Sequence, residues 1–285
     1  MDESSQPRHA VGFRVTEGTS PDDLLWQHLR ELPAFRALLR AVEARFYCDL
    51  PLDKRPILDV GCGDGHFTSL AIPGGVEAGF DPWQSPLREA AQRQCCRQLS
   101  NADGKHMPYA GDTFGTVISN SVLEHIPDVQ PVLNETFRVL KPGGTFYFCV
   151  PGPDFVRYLS IGRLLDRLGL RSFGDSYRRF FNRLSRHYHC DGVSVWRQRL
   201  ETAGLTLEDW WAYFTPGALA ALEWGHYLGL PSWLCRKLTG RWILVPGRFN
   251  LLVTERLTRR FYNDSLRSVG AEGAYLFFVA RKRSH

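Results

Sequence analysis

The sequence predicts an α/β fold of the doubly wound kind, built on a mostly parallel sheet, and three observations carry that prediction. Ile57, Leu58 and Val60 form an apolar run of strand length, and Gly61, Gly63 and Gly65 follow where the strand gives way to a helical pattern. A second run, Val76 to Phe80, ends in Asp81, 22 residues after Asp59. An acidic residue about 20 residues beyond a glycine loop is where α/β nucleotide folds hold ribose hydroxyls. Later runs of strand length, Phe114 to Asn120 and Leu205 to Tyr213, are separated by stretches of helical spacing.

Taken in order, residues 1–20 read as a flexible tail rich in Ser, Gly and Pro. Helical signals begin at Ser20-Pro21-Asp22-Asp23, where Ser20 can cap and Pro21 suits the first helical position. Phe35, Leu38, Leu39, Val42 and Phe46 keep helical spacing. Past the glycine loop a helix starting between Asp64 and Thr68 would point free backbone N–H groups at a ligand with an anionic or strongly polar group. A dinucleotide loop would need glycine or alanine where His66 stands, and Asp59 at the strand end would repel a pyrophosphate but suit an ammonium group. Pro86 to Gln98 is expected as the next helix, with Trp83 ahead of it either covering a ligand's planar ring or packing on that helix.

At this point the chain resembles the class I S-adenosylmethionine (SAM)-dependent methyltransferases. L-D-V-G-C-G-D-G, residues 58–65, is similar to the family's first motif, and N-A-D-G-K-H-M-P-Y, 101–109, to its adenine-contact loop. The stretch from Phe114 to Ile126 resembles the fourth strand and its exit, and L-K-P-G-G, 140–144, the turn before the fifth strand, Thr145 to Val150. The resemblance covers Pro56 to Val150 and implies seven strands, the last, Ala274 to Ala280, antiparallel. It implies SAM as cofactor, with Asp59, Gly61, Gly63 and Gly65 at its amino acid end, Asp81, Pro82 and Trp83 at the ribose and adenine, Asp103 and Gly104 near the adenine, and Asn120 closing the cleft floor. The leading helix would partly close that cleft.

The same resemblance puts candidate catalytic residues beyond the fourth strand. His125 of the Glu124-His125 pair would lie on the methyl-donor side, acting as a general base or ordering the loop. His187 and His189, in R-H-Y-H-C-D at 186–191, would face the acceptor and converge with His125. Asn120-Ser121-Val122-Leu123 lacks the prolines and aromatic that enzymes methylating exocyclic amines of DNA bases carry, which speaks against DNA. His187, Cys190 and Asp191 match no standard zinc spacing, so no metal is expected.

The remaining organisation concerns the later half. Residues 21–213 and 274–285 are expected to form the SAM-binding domain, and Phe214 to Gly273, 60 residues, an inserted helical cap that could be excised with SAM binding nearly intact. The net charge of +5 hides two basic stretches: ten arginines against four aspartates over 151–200, and six arginines and a lysine against Glu255 over 235–260. These alternate with helical apolar positions and no separate RNA-binding motif is visible, so solvated helix faces account for most of them. Aromatics such as Trp224, Trp233 and Trp242 mixed with the second basic stretch fit a lid or a homodimer surface, with peripheral contact at a lipid headgroup boundary as the alternative. Seven cysteines without a paired framework suit reduced thiols, and no signal-peptide pattern or spanning run is seen, so a cytoplasmic protein, with that peripheral membrane contact in reserve, is expected. The expected function is SAM-dependent methylation of a small or lipid-like acceptor, most simply at a hydroxyl. An RNA-modifying enzyme and a non-catalytic SAM-binding protein are the alternatives, and an NAD oxidoreductase is opposed by Asp59 and His66.

Overall fold

The computed structural model describes residues 23–284, so the expected tail and the Ser20-Pro21 helix start lie outside the described residues. Two helices lead, α1 (Leu24–Leu29) and α2 (Ala34–Asp49). Asp23 caps α1, its carboxylate accepting from the N–H groups of Leu25 and Trp26. Then come β1 (Ile57–Val60), α3 (His66–Ala71), β2 (Val76–Asp81), α4 (Gln84–Arg93), β3 (Cys96–Asn101) and β4 (Phe114–Asn120). A single 3₁₀ turn, Leu123–His125, precedes α5 (Gln130–Val139) and β5 (Leu140–Pro151). The later half holds α6 (Asp154–Arg157), α7 (Ser160–Arg167), α8 (Arg171–Leu184), α9 (Val193–Thr202) and β6 (Leu205–Tyr213). It closes with α10 (Pro216–Leu228), α11 (Leu230–Thr239), α12 (Arg248–Arg267) and β7 (Tyr275–Lys282).

The seven strands lie in the order β3-β2-β1-β4-β5-β7-β6, all parallel except β7, which runs antiparallel to both β5 and β6. Strand side chains alternate between the faces. Ile57, Tyr147, Cys149, Tyr275 and Phe277 join one buried cluster with α2, α10 and α12, while Leu58, Phe146, Phe148, Leu276 and Phe278 join another with α5 and α9. Both faces are thus covered, which the near-continuous apolar runs of β4 and β5 require.

Two expectations change. The helix expected over Pro86 to Gln98 ends at Arg93, because Gln94 adopts a left-handed conformation (φ 55°) and the chain turns into β3, where Cys96 pairs with Val76. Cys95 and Cys96 are both buried with their sulfurs 3.8 Å apart, as free thiols. Strand β5 begins at Leu140 and not at Thr145, and the L-K-P-G-G turn bulges within it, since Leu140 pairs with Phe114 and Thr145 with Thr116 while Gly143 stands at φ 74° between them.

The stretch from Phe214 to Gly273 is helical but does not stand apart. Helices α10 and α12 pack on α2, and α12 also on α1, where Arg259 forms an ion pair with Asp23. Glu223 of α10, fully buried, accepts from the Ser160 and Ile161 N–H groups and so caps α7. By contrast, none of residues 231–239 in α11 is buried, and Leu238, Val245 and Phe249 lie open on that side.

Candidate active site

A cavity of about 360 Å³ opens at the carboxyl ends of β1 and β4, where the strand order reverses direction. That is the crevice in which open α/β sheets bind ligands. The glycine loop forms its floor. Gly61 is held at φ 75°, and a β-carbon there would stand 2.6 Å from Val122 Cγ1; at Gly63, φ 54°, nothing lies within 4 Å of the same position, so backbone faces open space.

Five N–H groups of the loop, those of Gly61, Cys62, Gly63, Gly65 and His66, are already engaged within the protein. Gly61 and Cys62 donate to Phe80 O, Gly65 to Cys62 O, His66 to Asp64 Oδ1, and Gly63 to Asp81 Oδ2 at 3.1 Å. Positive charge in the cavity comes instead from Arg36 and Arg40 of α2 and Arg236 of α11.

Asp59 sits in the cavity wall, buried, and accepts a hydrogen bond from Thr68 Oγ1. Burial raises its carboxyl to about 6, against the opposing Thr68 bond. Asp81 accepts from Gly63 N–H and, at 2.9 Å, from Trp83 N–H, so it fastens the glycine loop to the turn after β2. Trp83 is 72% exposed and packs on nothing that would bury it. Asp103 is exposed and accepts from Lys105 N–H, while Gly104 is buried against Val132. Asp81, Pro82, Trp83, Asp103 and Gly104 stand outside the walls of this cavity, toward the β2 and β3 side, whereas Asp59, Gly61, Gly63 and Asn120 line it. Gly65 is turned into the protein, where a side chain would meet Cys95 Sγ at 2.8 Å.

His66 also lines the cavity and is fixed from behind. Its Nδ1 donates to Glu31 Oε2 at 3.2 Å, and its Nε2 shares a hydrogen bond with His28 Nδ1 at 2.9 Å, tying the loop to α1. Asn120 is held rather than free: its amide donates to Glu43 Oε2 at 2.7 Å and its carbonyl oxygen accepts from Cys149 Sγ. Fully buried Glu43 also accepts from Arg40, Ser121 and Tyr213. This hub was missed from the sequence, as were Arg36 and Arg40; Trp242, read there as part of a lid or homodimer surface, lines the cavity with Arg236 poised over its ring at 5.0 Å. The available signal was Glu43 itself, a charge four residues after Leu39 on the apolar face of its helix.

A second cavity, about 460 Å³, shares Arg36, Arg40 and Ser121 with the first. His125 and His187 line it, their rings 5.4 Å apart, together with Glu124, His226 and Tyr275. His125 Nδ1 donates to Arg186 O at 3.0 Å, and Tyr188 N–H donates to Glu124 O at 2.8 Å, so the 186–188 segment lies along the 3₁₀ turn. Burial lowers His125, and burial together with His125 lowers His187 to about 3. His189 does not join them: Nε2 donates to Ile126 O at 2.9 Å, and Nδ1 faces Arg199 and Asp191 at 3.3 Å. Three histidines were expected to converge here, and the chain brings two together, because the residue after Tyr188 turns its ring toward α9.

Residues 58–148 match the family described as a methyltransferase domain. That stretch, from β1 to β5, resembles a methyltransferase domain. The seven-stranded fold that frames it is shared with a SAM-dependent methyltransferase of Thermotoga maritima, at TM-score 0.53 and 15% identity over 88% of this chain and 92% of that one. A ubiquinone biosynthesis O-methyltransferase of Vibrio atlanticus is 31% identical over 37% of this chain and 47% of its own length. A malonyl-[acyl-carrier protein] O-methyltransferase of Legionella pneumophila is 33% identical over 39% of this chain and 41% of its own. The chain therefore spans less than half the length of these curated relatives. The matched part of the methyltransferase domain holds the glycine loop, Asp81 and the Glu124-His125 turn, and stops short of the segment that brings His187.

Proposed function

We propose that this chain transfers the methyl group of SAM to a hydroxyl of a small or lipid-like acceptor. The observation that carries the reading is a pair of neighbouring cavities that share Arg36, Arg40 and Ser121: one over the glycine loop with carboxylate and guanidinium walls, the next lined by histidines and apolar rings. Asp59 would meet the ammonium of the cofactor, Arg36 or Arg40 its carboxylate, and Asp81 its ribose. The methyl would then point toward the join at Ser121, in line with an acceptor in the second cavity. Methyl transfer from a sulfonium needs little beyond positioning and exclusion of water, with a base only where the nucleophile is a hydroxyl. His125, whose Nε2 is left to accept a proton by the Nδ1 bond to Arg186 O, suits that task better than His187, whose imidazole, lowered to about 3, is too weak a base. That two relatives are named O-methyltransferases supports an oxygen as the acceptor atom. Mass spectrometry of cell extracts incubated with the chain and methyl-labelled SAM tests it; if no extract acquires label on an oxygen, the reading fails.

Two further results are expected at the cofactor. Asp81→Ala removes charge-assisted hydrogen bonds worth roughly 1.5–3 kcal/mol, about ten- to a hundredfold in SAM affinity by calorimetry. Unchanged affinity would take the ribose away from Asp81. Affinity also depends on pH. An ammonium beside Asp59 favours its charged form, so the complex holds fewer protons than the free protein around the Asp59 value of about 6. Affinity should therefore rise with pH up to that point and level off above it, falling by up to about tenfold per unit below. Asp59→Asn should flatten the profile, and an equally flat parent profile would separate the ammonium from Asp59.

A further inference from the structure

The second cavity contains a group of side chains that proton transfer alone does not explain. Glu124, His125 and His187 each direct one potential ligand atom into a space where all three lie within 4.8 Å of one another. We propose that they form a binding site for a divalent transition-metal ion of the zinc or manganese kind. The inference rests on the methyl-transfer reading only for the role of the ion, not for its binding.

Three observations support the site. The Glu124 side chain is 1% exposed and its Oε2 has no hydrogen-bond partner, an orphaned carboxylate oxygen in the protein interior. Such a group is costly unless a cation or donor meets it. His125 donates from Nδ1 to a backbone carbonyl, which leaves Nε2 as a lone-pair donor 3.8 Å from Glu124 Oε1. Metal-ligating histidines carry this kind of backing hydrogen bond, which fixes tautomer and ring orientation. The donor set itself, two imidazoles and a carboxylate with open positions toward a cavity, suits first-row metals rather than calcium or magnesium. Coordination near 2.1 Å asks for about 3.0–3.4 Å between neighbouring ligand atoms, so closing on an ion takes side-chain shifts of up to about an ångström.

With the ion bound, His125 and His187 would serve as its ligands in place of the base's task, and the ion would bind an acceptor hydroxyl at an open position and lower its pKa. The O–H proton leaves to solvent, the oxygen lone pair forms the bond to the methyl carbon, and the carbon–sulfur bond breaks with its electrons going to sulfur as a neutral thioether. His226 and Tyr275, which line the same cavity, would border the acceptor.

The test uses the full chain without a histidine tag, dialysed against Zn²⁺ or Mn²⁺ and analysed for metal, with calorimetric titration of each ion and no SAM present. One ion per chain is expected, bound at least tenfold more weakly by Glu124→Gln and by His187→Ala. Glu124→Gln keeps the size of the buried side chain and should fold, which circular dichroism checks. Cys190→Ser, whose sulfur lies 3.9 Å from His187 Nδ1, should bind as the parent does. Substoichiometric metal, or equal affinity in parent and Glu124→Gln, overturns the site; loss in Cys190→Ser equal to that in Glu124→Gln overturns this ligand set. SAM affinity measured separately tells a failed metal site from a failed cofactor reading.

Discussion

Replacing Glu43 by alanine is expected to cost about 3–5 kcal/mol of folding stability, since it removes one partner of a buried ion pair and leaves the other charge uncompensated. Its carboxylate, fully buried, receives Arg40 Nη1 at 2.8 Å, Asn120 Nδ2 at 2.7 Å, and the hydroxyls of Ser121 and Tyr213 at 3.0 Å each. Those four donors come from α2, the end of β4 and β6, so the hub sets where the helix lies on the sheet. It also fixes the cavity walls, because Arg40 and Ser121 line both cavities and Asn120 the first. Urea denaturation should show the loss as a lowered midpoint with little change in slope, and SAM affinity should fall with it. A Glu43→Ala protein within about 1 kcal/mol of the parent would mean that the donors find other partners. Combining Glu43→Ala with Arg40→Ala in a double-mutant cycle then apportions the ion pair from the hydroxyl and amide bonds.

Legibility in the sequence followed the range of the interactions involved. The glycine loop, the first strand at Ile57 to Val60 and the acidic end of β2 are local patterns, and they stand in the structure where the residues suggested. Strand β6 was readable from end to end, because Leu205 to Tyr213 is bounded by Gly204 and carries its own apolar run. β3 was not: Cys96-Arg97-Gln98-Leu99-Ser100-Asn101 is an edge strand with mixed burial, and the helix before it stops at a left-handed Gln94 rather than at a glycine. The hub at Glu43 shows the other kind of limit. Its partners stand 77, 78 and 170 residues further along the chain, and nothing local to Glu43 names them. The Glu124-His125 pair could be read as a site, but its meeting with His187 depends on the 186–188 segment lying against the 3₁₀ turn, which only the fold supplies. His189 fails to join for the same reason.

Removing residues 214–273 and joining the ends by a short linker should destroy cofactor binding, not spare it as the sequence suggested. Helices α10 and α12 cover α2: Leu219, Leu222, Leu251, Tyr262 and Leu266 are all buried, in clusters or contacts that reach the sheet. Each such side chain contributes roughly 1.5–3 kcal/mol on burial, so five of them amount to about 8–15 kcal/mol, comparable with the whole stability of a domain. The excision also takes away Glu223, the cap of α7, and Arg259, the partner of Asp23. At the cavity itself it removes Arg236 and Trp242, which close the side opposite the glycine loop, with Arg236 held to Glu89 of α4 at 3.1 Å. The expected result is a chain with no cooperative unfolding transition and no heat of SAM binding. Because misfolding alone would produce that outcome, Trp242→Ala is the sharper variant: Trp242 is only half-buried, so the fold should survive while SAM affinity falls about tenfold through loss of one cavity wall. An excised chain that unfolds cooperatively and binds SAM as the parent does would make the segment a dispensable cap, and a Trp242→Ala protein with parental affinity would remove α11 and its following loop from the cofactor site.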